Sequence, residues 1–135
     1  MEKRFLVAVY GSLMEGLHNH RYLEDSKLKG SFLTEPSYTL VDLGSFPGLY
    51  EDGTTSISME IYEVDEHTLA DIDNLEGYVE HDEELSMYNR KTMSTPFGEA
   101  FGYIYNSPIG KKEPIISGDW REHLTFKTSL AHNVC

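Results

Sequence analysis

Cysteine is nearly absent from this 135-residue chain: the only one, Cys135, is its last residue. An internal disulfide is therefore impossible, and a thiol at a chain terminus makes a poor catalytic nucleophile because termini are usually mobile. Long apolar runs are also missing. The longest near the start, Phe5 to Tyr10, spans six residues before a Gly11-Ser12 break, too short for a usual signal-peptide core or for the ~18 residues of a membrane span. Basic residues are few, 11 Lys+Arg against 23 Asp+Glu. A formal charge of −12 leaves no basic footprint for nucleic acid or for an anionic membrane surface. The sequence also lacks a Walker A loop, a Rossmann fingerprint and a Gly-x-Ser-x-Gly elbow. His18, His20 and the run His81-Asp82-Glu83-Glu84 do not have the spacing of a zinc or calcium site. These absences predict a soluble cytoplasmic protein that uses no metal and no cofactor. The sequence carries no signal for oligomeric state.

What is present suits one folded domain over residues 1–135, a length typical of single domains. Hydrophobic residues make up 39% and aromatics 12%, enough for a real core and too much for a disordered acidic tail. The acidity is local. Residues 51–90 hold thirteen acids and one base, Arg90, so this window carries the whole excess and the remainder is neutral. Apart from the residue singled out below, these acids read as solvated.

The apolar, β-rich run Phe5–Tyr10 predicts a buried strand ended by Gly11, and His18–Glu24 a short helix. Lys29–Leu43 predicts two strands around a Glu35-Pro36-Ser37 turn, and Ser45–Tyr50 reads as a turn-rich apolar loop. Ser56–Val64 alternates as a strand. Asp65 is a good helix cap, followed by Leu69, Ile72 and Leu75 at helical spacing up to Gly77. Tyr88–Thr95 and Glu99–Asn106 read as strands joined by the hairpin turn Thr95-Pro96-Phe97-Gly98. Trp120, Leu124 and Phe126 mark a short terminal helix. Strands first and last with a helix inserted predict an α+β fold with a barrel-like mixed or antiparallel sheet.

Two features carry candidate chemistry. A strand that breaks at a glycine, Tyr10-Gly11-Ser12-Leu13, can aim successive backbone N–H groups at one point and bind a carboxylate or carbonyl oxygen; it can equally be an ordinary turn. Glu76 is the sharper case. With about 100° per residue counted from Leu69, Ile72 falls at about 300°, Leu75 at about 240° and Glu76 at about 340°. Glu76 thus lies on the apolar face. It also sits in the last helical turn, where the helix dipole disfavours a carboxylate by about 0.3–1 kcal/mol. Burial, dipole and neighbouring acids would all raise its pKa, the tuning an acid/base group needs. The plain alternative is a frayed, solvated last turn. Asp71 and Asp73 read as solvent-facing helix acids, Phe101, Tyr103 and Tyr105 as core-packing aromatics, and Ser12 has no partner pattern for a nucleophile.

Taken together, several stretches resemble the γ-glutamylcyclotransferase-like superfamily, closest to its small γ-glutamylamine cyclotransferase and AIG2-like members. They are Val9-Tyr10-Gly11-Ser12-Leu13 with Gly16 and Asn19, Phe46-Pro47-Gly48-Leu49, and Glu63-Val64-Asp65-Glu66. Asp73-Asn74-Leu75-Glu76-Gly77-Tyr78, Tyr88-Asn89-Arg90 and Ser117-Gly118-Asp119-Trp120 follow in order. The resemblance runs from about residue 5 to about residue 120 and departs only in small ways, such as Ser12 where some members carry Thr. It implies a small mixed β-barrel with flanking short helices, a glutamyl group cradled by the backbone of Tyr10 to Leu13, and Glu76 as the catalytic glutamate. The implied reaction is cyclisation of a γ-glutamyl amine or γ-glutamyl amino acid to 5-oxoproline and a free amine. The partner is then a small γ-glutamyl substrate. Tyr88, Arg90 and Tyr105 are further candidates for the substrate pocket. A second reading keeps the same pocket as a non-catalytic module holding a small amino- or carboxylate-bearing metabolite. A third is a related lyase or transferase step that removes a γ-glutamyl protecting group.

Overall fold

The computed structural model describes residues 3–133, the last five of them by backbone alone; Cys135 lies outside the described residues. The elements are β1 (Arg4–Val9), a single 3-10 turn (His20–Leu23), β2 (Lys27–Leu33), β3 (Tyr38–Asp42), β4 (Pro47–Thr55) and β5 (Ser58–Asp65). They are followed by α1 (Glu66–Glu76), β6 (Tyr88–Thr95), β7 (Gly98–Tyr105) and α2 (Trp120–Asn133). No helix among the described residues is long and apolar enough to cross a membrane.

β1 is central in a five-stranded sheet ordered β2-β5-β1-β7-β6. It pairs antiparallel with β5 from Arg4↔Asp65 to Val9↔Glu60 and parallel with β7 at Val7↔Phe101. A strand with neighbours on both edges is shielded from water, which is why Val7, Ala8 and Val9 read as a continuous apolar run and are buried here. The sheet is mixed, as expected, but its ladder does not close. β2 and β6 are its edges, and β3–β4 form a separate two-stranded sheet. β4 meets β7 through the Tyr105 ring: Gly48 of β4 lies so close to it that an added Cβ would sit 3.1 Å from its Cγ. The expected barrel is therefore an open mixed sheet with a hairpin packed beside it.

Other boundaries also shift. The Pro47-Gly48 dipeptide, which suggests a loop, starts β4, with Asp42↔Pro47 and Val41↔Gly48 in register; proline is tolerated at the first residue of a strand because it owes no ladder donor there. The helix expected over His18–Glu24 is the 3-10 turn. The terminal helix is long, fourteen residues. Asp119 Oδ1 accepts from Glu122 N at 3.1 Å at its start, and Trp120 is buried beneath it.

Most acids of the window are exposed as expected, Glu60 is not, and bases from elsewhere meet several of them. Glu60 is buried and bonds Arg121 at 3.0 Å, Glu63 faces Lys29 at 4.0 Å, and Glu51 faces Lys91 at 3.2 Å. Pairing explains the burial of Glu60, whose carboxylate also accepts from the Tyr62 hydroxyl and the Glu15 N–H.

Before α2 the chain turns at Gly118, which has φ 68° and whose carbonyl accepts from Ser58 N at 2.9 Å. A Cβ there would run into the Ser56 carbonyl oxygen. Gly118→Ala combines left-handed strain with a backbone clash and is expected to cost about 3 kcal/mol. The denaturation midpoint should fall accordingly, and an unchanged midpoint would show that the turn relaxes freely.

Candidate active site

A cavity of about 250 Å³ opens where the ends of several elements meet. Its lining comes from the end of β1 and the following turn (Ala8 to Leu13), Asn19, Phe46 and Pro47 before and at the start of β4, Leu75 and Glu76 at the end of α1, Met87 and Tyr88 leading into β6, and Tyr103 of β7.

The turn after β1 is held by its own neighbours. Met14 N donates to Gly11 O at 3.0 Å, Asn19 N to Ser12 O at 2.9 Å, and Asn19 Nδ2 to Ser12 Oγ at 2.8 Å. His20 Nδ1 bonds Leu13 O at 2.9 Å. Among the described residues no acceptor takes the N–H groups of Gly11, Ser12 or Leu13, so the turn spends its carbonyls on the fold and keeps three donors beside the cavity. Gly11 is required by close approach: an added Cβ would stand 2.9 Å from Pro47 Cδ and Cγ.

Two tyrosines shape the wall. Tyr10 donates its hydroxyl to Tyr103 O at 2.6 Å, and Tyr88 donates to Pro47 O at 2.7 Å. Burial pushes both phenols, and Tyr103, well above the ordinary phenol range. All three remain neutral at any physiological pH.

Glu76 is placed by the helix that the sequence specifies. Asp65 Oδ1 accepts from Thr68 N at 2.8 Å, which sets the first turn of α1. The helix ends in a Schellman motif, with Tyr78 N on Asp73 O at 2.9 Å and Gly77 N on Asn74 O at 3.2 Å, Gly77 taking φ 67°. Leu69 and Ile72 are buried, and Glu76, on their side of the helix, enters the cavity. Among the described residues no group hydrogen-bonds its carboxyl. Burial first, and the charge of Asp73 second, push that carboxyl up to about 7.

The structure thus brings Glu76, Tyr10, Gly11, Ser12, Leu13 and Tyr88 to one cavity. It does not bring Arg90 or Tyr105 to its lining. Arg90 lies behind the helix end, bonded through Nη1 to Asp73 Oδ2 at 2.6 Å and set over the rings of Tyr78 and Phe101. Tyr105 stands behind Tyr88, ring centroids 5.1 Å apart. Asp73 is the main correction: instead of facing solvent it is 19% exposed and accepts from both Arg90 and the Tyr103 hydroxyl, the latter at 2.6 Å. Its helical angle of about 40° from Leu69, at the border of the apolar face, was the available signal. Asn19, Phe46, Pro47 and Met87 were unmarked as pocket residues because only tertiary packing brings them there. Among the described residues no cluster of three His, Cys, Asp or Glu is grouped to hold a metal ion.

In this α+β domain a carboxyl with a raised pKa shares a small cavity with a turn whose N–H groups have no acceptor among the described residues. The profile of the family "Gamma-glutamyl cyclotransferase, AIG2-like" matches residues 7–122, and the chain belongs to this family of enzymes. It is 49% identical over 115 residues to a Vibrio cholerae protein named "Putative gamma-glutamylcyclotransferase", covering 85% of this chain and 94% of that one. It is 37% identical over 105 residues to a Niallia circulans enzyme named "Gamma-L-glutamyl-butirosin B gamma-glutamyl cyclotransferase", covering 73% of this chain and 65% of that one. The fold is similar to a crystal structure of a Pyrococcus horikoshii protein, with TM-score 0.75, 30% identity and coverage of 93% and 97% of the two chains. Membership gives the chain a γ-glutamylcyclotransferase-family function.

Proposed function

We propose that this enzyme cyclises γ-glutamyl amides to 5-oxoproline with release of an amine, and that Glu76 is its acid/base group. The observation that carries this reading is an unpartnered carboxyl, raised to about 7, in the same cavity as the free N–H groups of Gly11, Ser12 and Leu13. The Niallia circulans relative is named for a γ-glutamyl substrate, which supports the γ-glutamyl group as the part that the pocket reads.

The reaction needs no protein nucleophile. Glu76 takes a proton from the substrate α-ammonium, and the freed α-nitrogen attacks the γ-carbonyl carbon. Its π electrons move to oxygen, giving a tetrahedral oxyanion that the turn N–H groups stabilise. Glu76 then gives its proton to the departing nitrogen. As the carbonyl re-forms and the old C–N bond breaks, Glu76, again a carboxylate, takes the second proton from the ring nitrogen and passes it to the released amine, which leaves as an ammonium beside a neutral lactam. Folding the γ-glutamyl chain so that its own amine meets the carbonyl is the entropic part of the work, for which a small walled cavity is suited.

A mass-spectrometric screen of γ-glutamyl amino acids and γ-glutamyl amines tests the reading. At least one compound should give 5-oxoproline and free amine in equal amounts. A panel returned unchanged, with one compound retained on the protein, would instead favour a binding module. For an active compound, kcat/KM should rise with pH through a half-maximum near pH 7 and level off above it, because the free enzyme must present Glu76 as carboxylate. A flat profile from pH 5.5 to 8 would contradict Glu76 as the base.

A further inference from the structure

Asp73 and Glu76 are one helical turn apart, a separation that places their Cβ atoms about 5–6 Å apart. Their surroundings differ completely. Both oxygens of Asp73 are taken by donors: Oδ1 by the Tyr103 hydroxyl and Oδ2 by Arg90 Nη1, each at 2.6 Å. Arg90 can only donate, so its short contact with Oδ2 favours the ionised form of Asp73. The Arg90 guanidinium is itself fixed between Tyr78 and Phe101, 5.0 and 4.4 Å from their ring centroids. Among the described residues Glu76 has no donor. Of two neighbouring carboxyls, one is built to keep its charge and the other to exchange its proton.

The clamp also spans the site mechanically. Arg90 belongs to β6 and Tyr103 to β7, and the Tyr103 carbonyl accepts the hydroxyl of Tyr10 at the end of β1. Asp73 thereby ties the last turn of α1 to the three strands whose ends form the cavity wall. We propose that Asp73 is a positioning residue for Glu76, a clamped carboxylate that fixes the end of α1 over the cavity and holds a negative charge beside the reacting carboxyl. The inference rests on the acid/base reading of Glu76.

The charged and titratable groups around the pair agree with this division. Glu76 is faced by Asp73 on its own helix, and by the neutral phenols of Tyr10 just after β1, Tyr88 from β6 and Tyr103 from β7. Asp73 is faced by Arg90, Tyr103 and, from the loop after α1, Glu80. Burial pushes Asp73 upward as well, with the two donors pulling against it. Removing the Asp73 charge should make Glu76 easier to ionise. Removing Arg90 leaves that charge unanswered and should make Glu76 harder to ionise.

The test follows the Glu76 side-chain carboxyl by carbon NMR against pH, beside the pH–rate profile, in the wild type, Asp73→Asn and Arg90→Gln. Asp73→Asn should lower the Glu76 midpoint by about half a pH unit or more, Arg90→Gln should raise it, and the acidic limb of the rate should follow each. A merely structural clamp would lower the rate in both variants without separating their midpoints. If the carboxyl midpoint moves and the rate limb stays, the acid/base reading of Glu76 fails while its coupling to Asp73 stands. A midpoint that does not move in either variant overturns the inference, whatever happens to the rate. Should Asp73→Asn fail to fold, Arg90→Gln decides alone, since an unmoved or lowered midpoint contradicts it.

Discussion

Replacing Glu76 with Gln is expected to slow 5-oxoproline release by about 10²–10⁴-fold, the usual worth of a positioned acid/base group. The amide keeps the size of the side chain and can occupy the same place at the end of α1, but it can neither accept the ammonium proton nor return it to the leaving nitrogen. Nothing else in the cavity lining can substitute. Its phenols are held far above the range in which they could act as bases at neutral pH, and Ser12 Oγ is bonded to Asn19. Substrate binding should survive, because the cradle after β1 is untouched. The loss should therefore fall on kcat more than on KM. Turnover at the wild-type rate would remove Glu76 from the mechanism.

The same substitution should make the protein more stable at alkaline pH. Glu76 has a carboxyl with an ordinary value of 4.5 that folding raises to about 7. Between these values the folded protein holds a proton that the unfolded chain has released. The stability linked to this group is therefore fully present below about pH 4.5 and is lost as pH rises through 7. Above pH 7 both states are ionised, and the folded state bears the whole cost of a buried, unpartnered carboxylate. At about 1.4 kcal/mol per pH unit, the difference approaches about 3 kcal/mol. Glu76→Gln escapes the cost because it does not ionise. Urea denaturation should show variant and wild type converging towards pH 5 and the variant ahead at pH 8. A constant gap across that range would mean that the carboxyl is not raised. A residue whose loss impairs turnover and improves stability is the pattern expected of a site kept for chemistry.

The parts of this site that lie close together in sequence were legible from it. The Asp65 cap, the Leu69/Ile72/Leu75 periodicity and Gly77 located α1 to the residue, and the helical angle of Glu76 placed it on the buried side. The strand ending at Gly11 marked the turn that lines the cavity. What sequence left unread are partners brought together across the fold. Asp73 meets Arg90 seventeen residues on and Tyr103 thirty residues on, a meeting made only when the β6–β7 hairpin packs against α1. Arg90 and Tyr105, pocket candidates named beside the family resemblance, do not reach the cavity lining. Alternation along a strand sends successive side chains to opposite faces, and Arg90, two residues from Tyr88, shares its face but reaches past the cavity to Asp73. The open sheet was hidden for a similar reason, since whether β4 meets β7 by backbone or by side chain depends on the ring of Tyr105 against Gly48.

Charge gives a further instance. The acids of residues 51–90 look like one solvated field in sequence. In the fold Glu60, Glu63 and Glu51 are answered by Arg121, Lys29 and Lys91, all from outside that window. Asp73 is answered by Arg90, the only base within it. Among the described residues no cation meets Glu76. The contrast that matters for chemistry is local pairing rather than net charge.

The central claim is that the substrate's own amine, not water, displaces the leaving group. It is tested most directly by running the reaction in water enriched in oxygen-18 and weighing the product. The account predicts 5-oxoproline without oxygen-18, since both of its carbonyl-derived groups come from the substrate and no water is added. Labelled glutamate, or 5-oxoproline carrying the heavy isotope, would contradict it.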